Sequence, residues 1–167
     1  MAGAKSIATV LAVLWFMTAR YGVAFAGTLQ GGTLQGVWLT ESGEAGIELF
    51  ACPRPLCGRI VWLKTPRDGA GRPKLDRKNP KAALRQRPLC GLTVLEGLQP
   101  IDGAPGSWDT GSFYDPQNGR TYKFTLKSQS AEVLVGRAYL LIPFFGETQV
   151  LRRVGALPAD GWCPGLP

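Results

Sequence analysis

From Gly36 onward, turn-forming residues interrupt this chain at intervals of about ten residues, too short for helices and right for strands. The segments between them are rich in β-branched and aromatic residues. Strands are expected at 36–41, 45–52, 58–64, 91–98, 107–114, 120–127, 131–140 and 147–154. The clearest is Thr121–Lys127, where Tyr122, Phe124 and Leu126 alternate with polar neighbours. Asp115-Pro116-Gln117-Asn118-Gly119 before it forms a hairpin turn, because Asn-Gly tolerates positive φ. Ser42-Gly43-Glu44 makes a second tight turn. No segment after the leader carries a long 3.6-residue apolar period, so the chain reads as all-β. Eight short strands joined mostly by tight turns predict a single antiparallel meander that closes into an eight-stranded β-barrel and so removes its edges. A two-sheet sandwich has the same strand spacing and stays open as the alternative.

One connection breaks the pattern. Residues 65–90 are too long and too polar for a hairpin loop, and such loops are usually functional or mobile. Pro66, Gly69, Gly71 and Pro73 make its first half irregular, while Asn79 as N-cap and Pro80 at the first helical position predict a short helix to about Gln86. Between Lys64 and Arg87 stand nine bases against Asp68 and Asp76. The rest of the chain beyond the leader is slightly acidic, so the basicity belongs to this segment alone.

Residues 1–26 have the form of a secretory signal peptide, with Lys5, an apolar run Ile7–Met17 and Ala24-Phe25-Ala26 before the cut. The run is too short to span a bilayer, which takes about 20 residues. A single domain at 27–167, exported and periplasmic or secreted, is expected, with no transmembrane segment after cleavage. Cys52, Cys57, Cys90 and Cys163 then read as disulfide cysteines. Three pairings are open. A hairpin placing Cys52 opposite Cys57, with Leu49 facing Ile60 and Ile47 facing Trp62, favours Cys52–Cys57 and leaves Cys90–Cys163; Cys57–Cys90 is the rival.

The chain has no histidine, which removes imidazole catalysis and every His-containing metal site. It also lacks a Ser-x-x-Lys pattern. Asp109 and Asp115 are nearly 20 Å apart along one extended strand by its ordinary rise, too far for paired-carboxylate hydrolysis. The cysteine spacings do not make zinc knuckles, and Asp76 with Asn79 among many bases makes a poor calcium site. No catalytic residue, metal or cofactor is therefore assigned. Nucleic acid is excluded as a partner, since aromatic residues do not interleave with the bases.

Longer motifs carry a resemblance. Gly36-Val37-Trp38-Leu39-Thr40, Leu56-Cys57-Gly58-Arg59-Ile60-Val61-Trp62-Leu63, Asp76 with Asn79-Pro80, Arg87-Pro88-Leu89 and the Tyr114-Asp115-Pro116…Thr121-Tyr122 hairpin together resemble the bacterial exported family known as domain of unknown function 2147. Near the end, Thr148, Gln149 and Arg153 match its pattern, whereas Glu147 and Leu151 stand where Arg and Trp are usual. The family brings no established activity. Gly-x-Trp on the first strand with an Arg on the last also resembles the lipocalin-like (calycin) barrels, which implies that Trp38 and Arg153 stack to close the barrel floor. That resemblance implies a binder of a small apolar or lipid-like ligand with an anionic end. Its candidate site is Arg85, Arg87, Asp76 and Asn79 of the loop with Tyr114 and Tyr122 of the hairpin. An envelope interaction protein that docks its basic loop on a partner or an anionic surface is the alternative, and an enzyme of unrecognised mechanism the second.

Overall fold

The computed structural model describes residues 34–165, so the predicted leader at 1–26 lies outside the described residues. The strands are β1 (Gly36–Thr40), β2 (Ala45–Ala51), β3 (Leu56–Leu63), β4 (Thr93–Pro100), β5 (Ser107–Asp115), β6 (Arg120–Ser128), β7 (Val133–Tyr139) and β8 (Glu147–Arg153). Each pairs antiparallel with the next, and β8 pairs with β1, which closes the barrel and rules out the sandwich. All eight expected strands are present, with ends that move by no more than two residues.

The β2–β3 register differs from the expected one. Cys57 faces Phe50, Ile60 faces Ile47 and Gly58 faces Leu49, with a bulge at Gly46/Ile47 that brings Gly46 opposite Trp62. Cys57, Ile60 and Leu49 thus face partners two positions from the expected ones, and beyond the bulge the offset at Trp62 falls to one. A slip of two keeps every side chain on its own face, so the apolar pattern cannot detect it. Cys52 lies just past the ladder, within reach of Cys57 at a Cα–Cα distance of 5.9 Å, and the two are bonded. Cys90 is bonded to Cys163. Two disulfides place the chain in an oxidising, non-cytoplasmic compartment.

The barrel is filled. Trp38, Ile47, Leu49, Ile60, Leu98, Phe124, Leu126, Leu134 and Leu151 form one buried cluster. Where large side chains meet, glycine stands opposite. A Cβ on Gly111 would lie 2.7 Å from Leu98, and one on Gly136 would run into the Phe124 ring. Side chains thus occupy the centre of the barrel, as an eight-stranded barrel allows.

The expected helix at 79–86 is reduced to one 3₁₀ turn, Ala82–Leu84, preceded by Lys81. Asn79 does not cap it: its Oδ1 accepts the Lys81 N–H while its amide donates elsewhere. So short a segment cannot repay helix nucleation by itself. The C-terminal tail pairs edge to edge with the end of β3 through an antiparallel Trp62–Trp162 bridge. The Cys163 N–H donates to Val61 O, and Trp62 Nε1 donates to Pro158 O at 2.9 Å. This pairing adds cover at the Val61–Leu63 end of β3, a strand buried along nearly its whole length.

Candidate functional site

Because the meander is up-and-down, the β1–β2, β3–β4, β5–β6 and β7–β8 connections share one end of the barrel, here called the mouth. The basic β3–β4 connection does not ring that mouth as a free loop. It lies as a strap against the outer wall of β4–β6. Lys74 and Asp76 pair through their backbones with Leu89 and Arg87, and Gly119 of the β5–β6 turn packs on the Lys78 carbonyl. A Cβ on Gly119 would run into that carbonyl, and φ there is +73°, so the turn needs glycine twice over.

Asp76 anchors the strap. It is fully buried, and every donor around it is accounted for. Arg87 Nε and Nη2 donate to its Oδ2 at 2.9 and 2.8 Å, Asn79 Nδ2 donates to the same oxygen at 2.8 Å, and the Tyr114 hydroxyl donates to Oδ1 at 2.6 Å. The Arg87 guanidinium also lies 5.5 Å from the Tyr114 ring centre. Burial, then the bond to Asp76, raises the Tyr114 phenol above its ordinary range, so the hydroxyl stays a donor. A buried carboxylate held by a guanidinium, an amide and a phenol is structurally saturated. Its geometry ties strap to wall, and burial closes the carboxylate off from solvent.

The sequence-derived candidates divide accordingly. Asp76, Asn79, Arg87 and Tyr114 meet in this cluster. Arg85 stands beside it, its Nε donating to Asn79 O at 2.8 Å, so the partner of Asp76 is Arg87 and not Arg85. Tyr122 is elsewhere. Since Tyr114 pairs with Thr121, Tyr122 falls on the opposite face of the sheet, stacked on Phe113 and bonded to Asn118. Between strap and wall lies a cleft of about 240 Å³, lined by Leu84 and Val94 with Lys81, Arg87 and Glu96. It runs into a broader, open trough of about 450 Å³ that shares Arg87 and Glu96.

Of the nine strap bases, Arg72 and Arg87 are ion-paired with Asp68 and Asp76, and Lys64 with Glu44. The Arg72 backbone N–H, bonded to Asp68, leads in holding that carboxyl below its usual range. Arg67, Arg77, Lys78, Lys81 and Arg85 are exposed. Sequence reasoning missed a second feature of the mouth, the β7–β8 turn Leu140-Leu141-Ile142-Pro143-Phe144-Phe145. Its signal was plain, a run of apolar residues where a turn should be polar. At the opposite end, Trp38 on β1 and Arg153 on β8 face each other across the closing seam, with the guanidinium 4.2 Å from the ring centre. Among the described residues, no group of three or more metal-ligating side chains forms, and no helix is long and apolar enough to cross a membrane.

A closed up-and-down barrel of eight strands, filled inside and carrying its polar and apolar surface features on its mouth-end loops, is a lipocalin-like barrel. It superposes with a TM-score of 0.60 on a solved structure described as "Protein HP1028 from the human pathogen Helicobacter pylori belongs to the lipocalin family", at 23% identity over 73% of this chain and 83% of that one. The chain belongs to the family of uncharacterized proteins conserved in bacteria, DUF2147, whose model matches residues 36–153. No curated protein matches it.

Proposed function

We propose that this is an exported, non-catalytic binding protein in which the barrel is a packed scaffold and the mouth end is the working surface. The basic strap docks on an anionic component of the bacterial envelope. The observation that carries this reading is the combination of a filled interior with a cationic strap pinned rigidly to the outer wall by Asp76. A lipocalin-like scaffold supports ligand binding in general, but here the barrel axis is blocked and the charge lies outside. Exposed bases on an ordered segment attract anionic surfaces through a field that salt screens within about 10 Å.

A second reading rests on the cleft between strap and wall. Its apolar floor of Leu84 and Val94 beside Lys81 and Arg87 suits a small ligand with an apolar body and an anionic end. The test is binding of the purified protein to isolated envelope fractions over a salt series, with native mass spectrometry of the same sample. Loss of binding in Arg67→Glu/Arg77→Glu/Lys78→Glu supports docking by the strap. A reproducible small-molecule adduct, weakened by Lys81→Ala and unaffected by those three changes, transfers the function to the cleft. Envelope binding that ignores both salt and the charge reversals overturns the docking reading.

A further inference from the structure

The mouth end carries an apolar tip that folding does not use. Among the described residues, six large hydrophobic side chains are exposed, and five belong to the β7–β8 turn: Leu140 (56%), Leu141 (83%), Ile142 (50%), Phe144 (79%) and Phe145 (79%). Scattered exposed apolar residues need no explanation, but a contiguous cluster does.

The turn is also built to hold this shape. Arg137, facing outward from β7, donates from Nε to Pro143 O, from Nη2 to Phe144 O at 2.9 Å, and from Nη1 to Thr148 Oγ1 at 2.7 Å. One guanidinium thereby fixes the backbone of the 3₁₀ turn Pro143–Phe145 to both flanking strands. Gly146 lets the chain close beneath it, since a Cβ there would lie 2.7 Å from Ala138 O. Phe144 and Phe145 stand edge to face with ring centres 5.1 Å apart. A loop that was merely tolerated would fold its phenyl rings onto the barrel; this one has its carbonyls clamped so that the rings project.

We infer that the β7–β8 turn is a membrane-insertion tip that seats the mouth of the barrel on a lipid bilayer bearing anionic headgroups. The inference rests on the docking reading above and names its surface. Two observations choose a bilayer over other occupants. The tip is six residues long, whereas a stable protein interface takes about 20–30 residues a side. It also shares its end of the barrel with exposed Lys78, Arg120 and Lys123, the last of which pairs with Tyr139 at the root of the turn. Apolar side chains entering the acyl boundary while neighbouring bases meet phosphate is the arrangement by which peripheral proteins hold anionic membranes. The exposed acids at the same end are Glu147 at the base of the turn, whose Oε1 accepts a bond from Gln149, and Glu41 and Glu44 of the β1–β2 turn, the latter paired with Lys64.

The test uses vesicles of phosphatidylcholine with phosphatidylglycerol and the disulfide-bonded protein. Co-sedimentation is expected for the wild type, weakened but not abolished by high salt. Leu141→Ser/Phe144→Ser/Phe145→Ser should lower vesicle affinity by about a thousandfold, at about tenfold per buried side chain, with an unchanged melting curve because all three are exposed. A Phe144→Trp variant should shift its emission to the blue on vesicles and be quenched by brominated acyl chains. If the triple serine variant binds as the wild type does, while strap charge reversals abolish binding, the strap docks alone and the insertion tip is refuted. If neither variant set matters, both readings fall. A wild-type dimer that the serine variant dissolves, without vesicle binding, assigns the tip to self-association and overturns the inference.

Discussion

Arg153 closes the barrel floor by lying over Trp38, its guanidinium carbon 4.2 Å from the ring centre, across the β1–β8 seam where the two residues are register partners. The same guanidinium donates from Nε to Ala131 O at 2.9 Å and from Nη1 to Gln35 O at 3.1 Å, so it joins the β6–β7 connection to the chain entering β1. Trp38 is fully buried and donates from Nε1 to Leu34 O. Gly36 completes the arrangement: φ is +123°, and a Cβ would lie 3.0 Å from Arg153 Nη1. The spacing Gly-x-Trp on β1 is thus the space requirement of an arginine on β8.

Arg153→Lys should lower stability by about 1–3 kcal/mol, because an ammonium keeps the charge but loses the planar stack and the fork that reaches two carbonyls. Arg153→Ala should cost somewhat more, since it also uncovers one face of Trp38. Urea titration followed by tryptophan fluorescence checks both. A lysine variant as stable as the wild type would mean that charge alone, not stacking, holds the seam.

Asp76→Ala should be the most damaging single polar change in the strap, at about 3–5 kcal/mol, since it leaves Arg87, Asn79 and the Tyr114 hydroxyl without their shared acceptor under cover. Arg85→Ala, two residues from Arg87 and bonded only to a backbone carbonyl, should cost less than about 1 kcal/mol. Limited proteolysis separates local from global effects. Release of the strap with an intact barrel would give new cleavage between Thr65 and Pro88 without loss of the far-ultraviolet spectrum.

The sequence was legible where local chemistry and global fold agree. Alternation in Thr121–Lys127, the Asn118-Gly119 turn and the even spacing of turns lead directly to eight strands, while the choice of a closed barrel over a sandwich of the same spacing rests on the β1–β8 pairing. It was not legible where alternatives keep the same pattern. A two-residue slip between β2 and β3 exchanges apolar for apolar, and the Gly46/Ile47 bulge that shortens it to one has no distinct composition. Nor did net charge show whether the 65–90 segment rings the mouth or lies on the wall. That depends on one buried carboxylate finding a tyrosine 38 positions away. The filled interior was hidden for a related reason. Glycines at 111 and 136 read as weak strand residues, and only tertiary packing shows them making room for Leu98 and Phe124. The apolar run at 140–145 stands in the connection between the expected strands 131–140 and 147–154, and composition alone does not tell whether such side chains fold onto the barrel or project from it.

Tyr114 should give the protein an alkaline limit of its own. Burial and the bond to Asp76 raise its phenol above the ordinary 10.0, so the folded state keeps a proton that the unfolded chain releases. Its contribution is fully present below about pH 10 and is lost as pH rises from there through the folded value. Urea midpoints measured from pH 8 to 11 should therefore fall more steeply for wild type than for Tyr114→Phe. The variant should be less stable at pH 8, by about 1–2 kcal/mol for the lost bond. Parallel curves would show that the phenol does not carry the alkaline loss.

The two disulfides should differ in what they hold. Cys90–Cys163 closes a 73-residue separation and fastens the tail across β3, whereas Cys52–Cys57 closes one of 5 at a hairpin end. Loop-entropy estimates give about 4 kcal/mol for the first and about 2 for the second. Replacing Cys90 and Cys163 by serine should therefore produce the larger fall in melting temperature. It should also free the tail from Val61 and Trp62, raising hydrogen exchange at that end of β3, which would lose its edge partner. The Cys52→Ser/Cys57→Ser pair should leave β3 protected and loosen only the 52–55 turn. Equal losses from the two double variants, or unchanged exchange in β3 without Cys163, would mean that the tail is held by the Trp62–Trp162 contact and the Pro158 carbonyl rather than by the sulfur bridge.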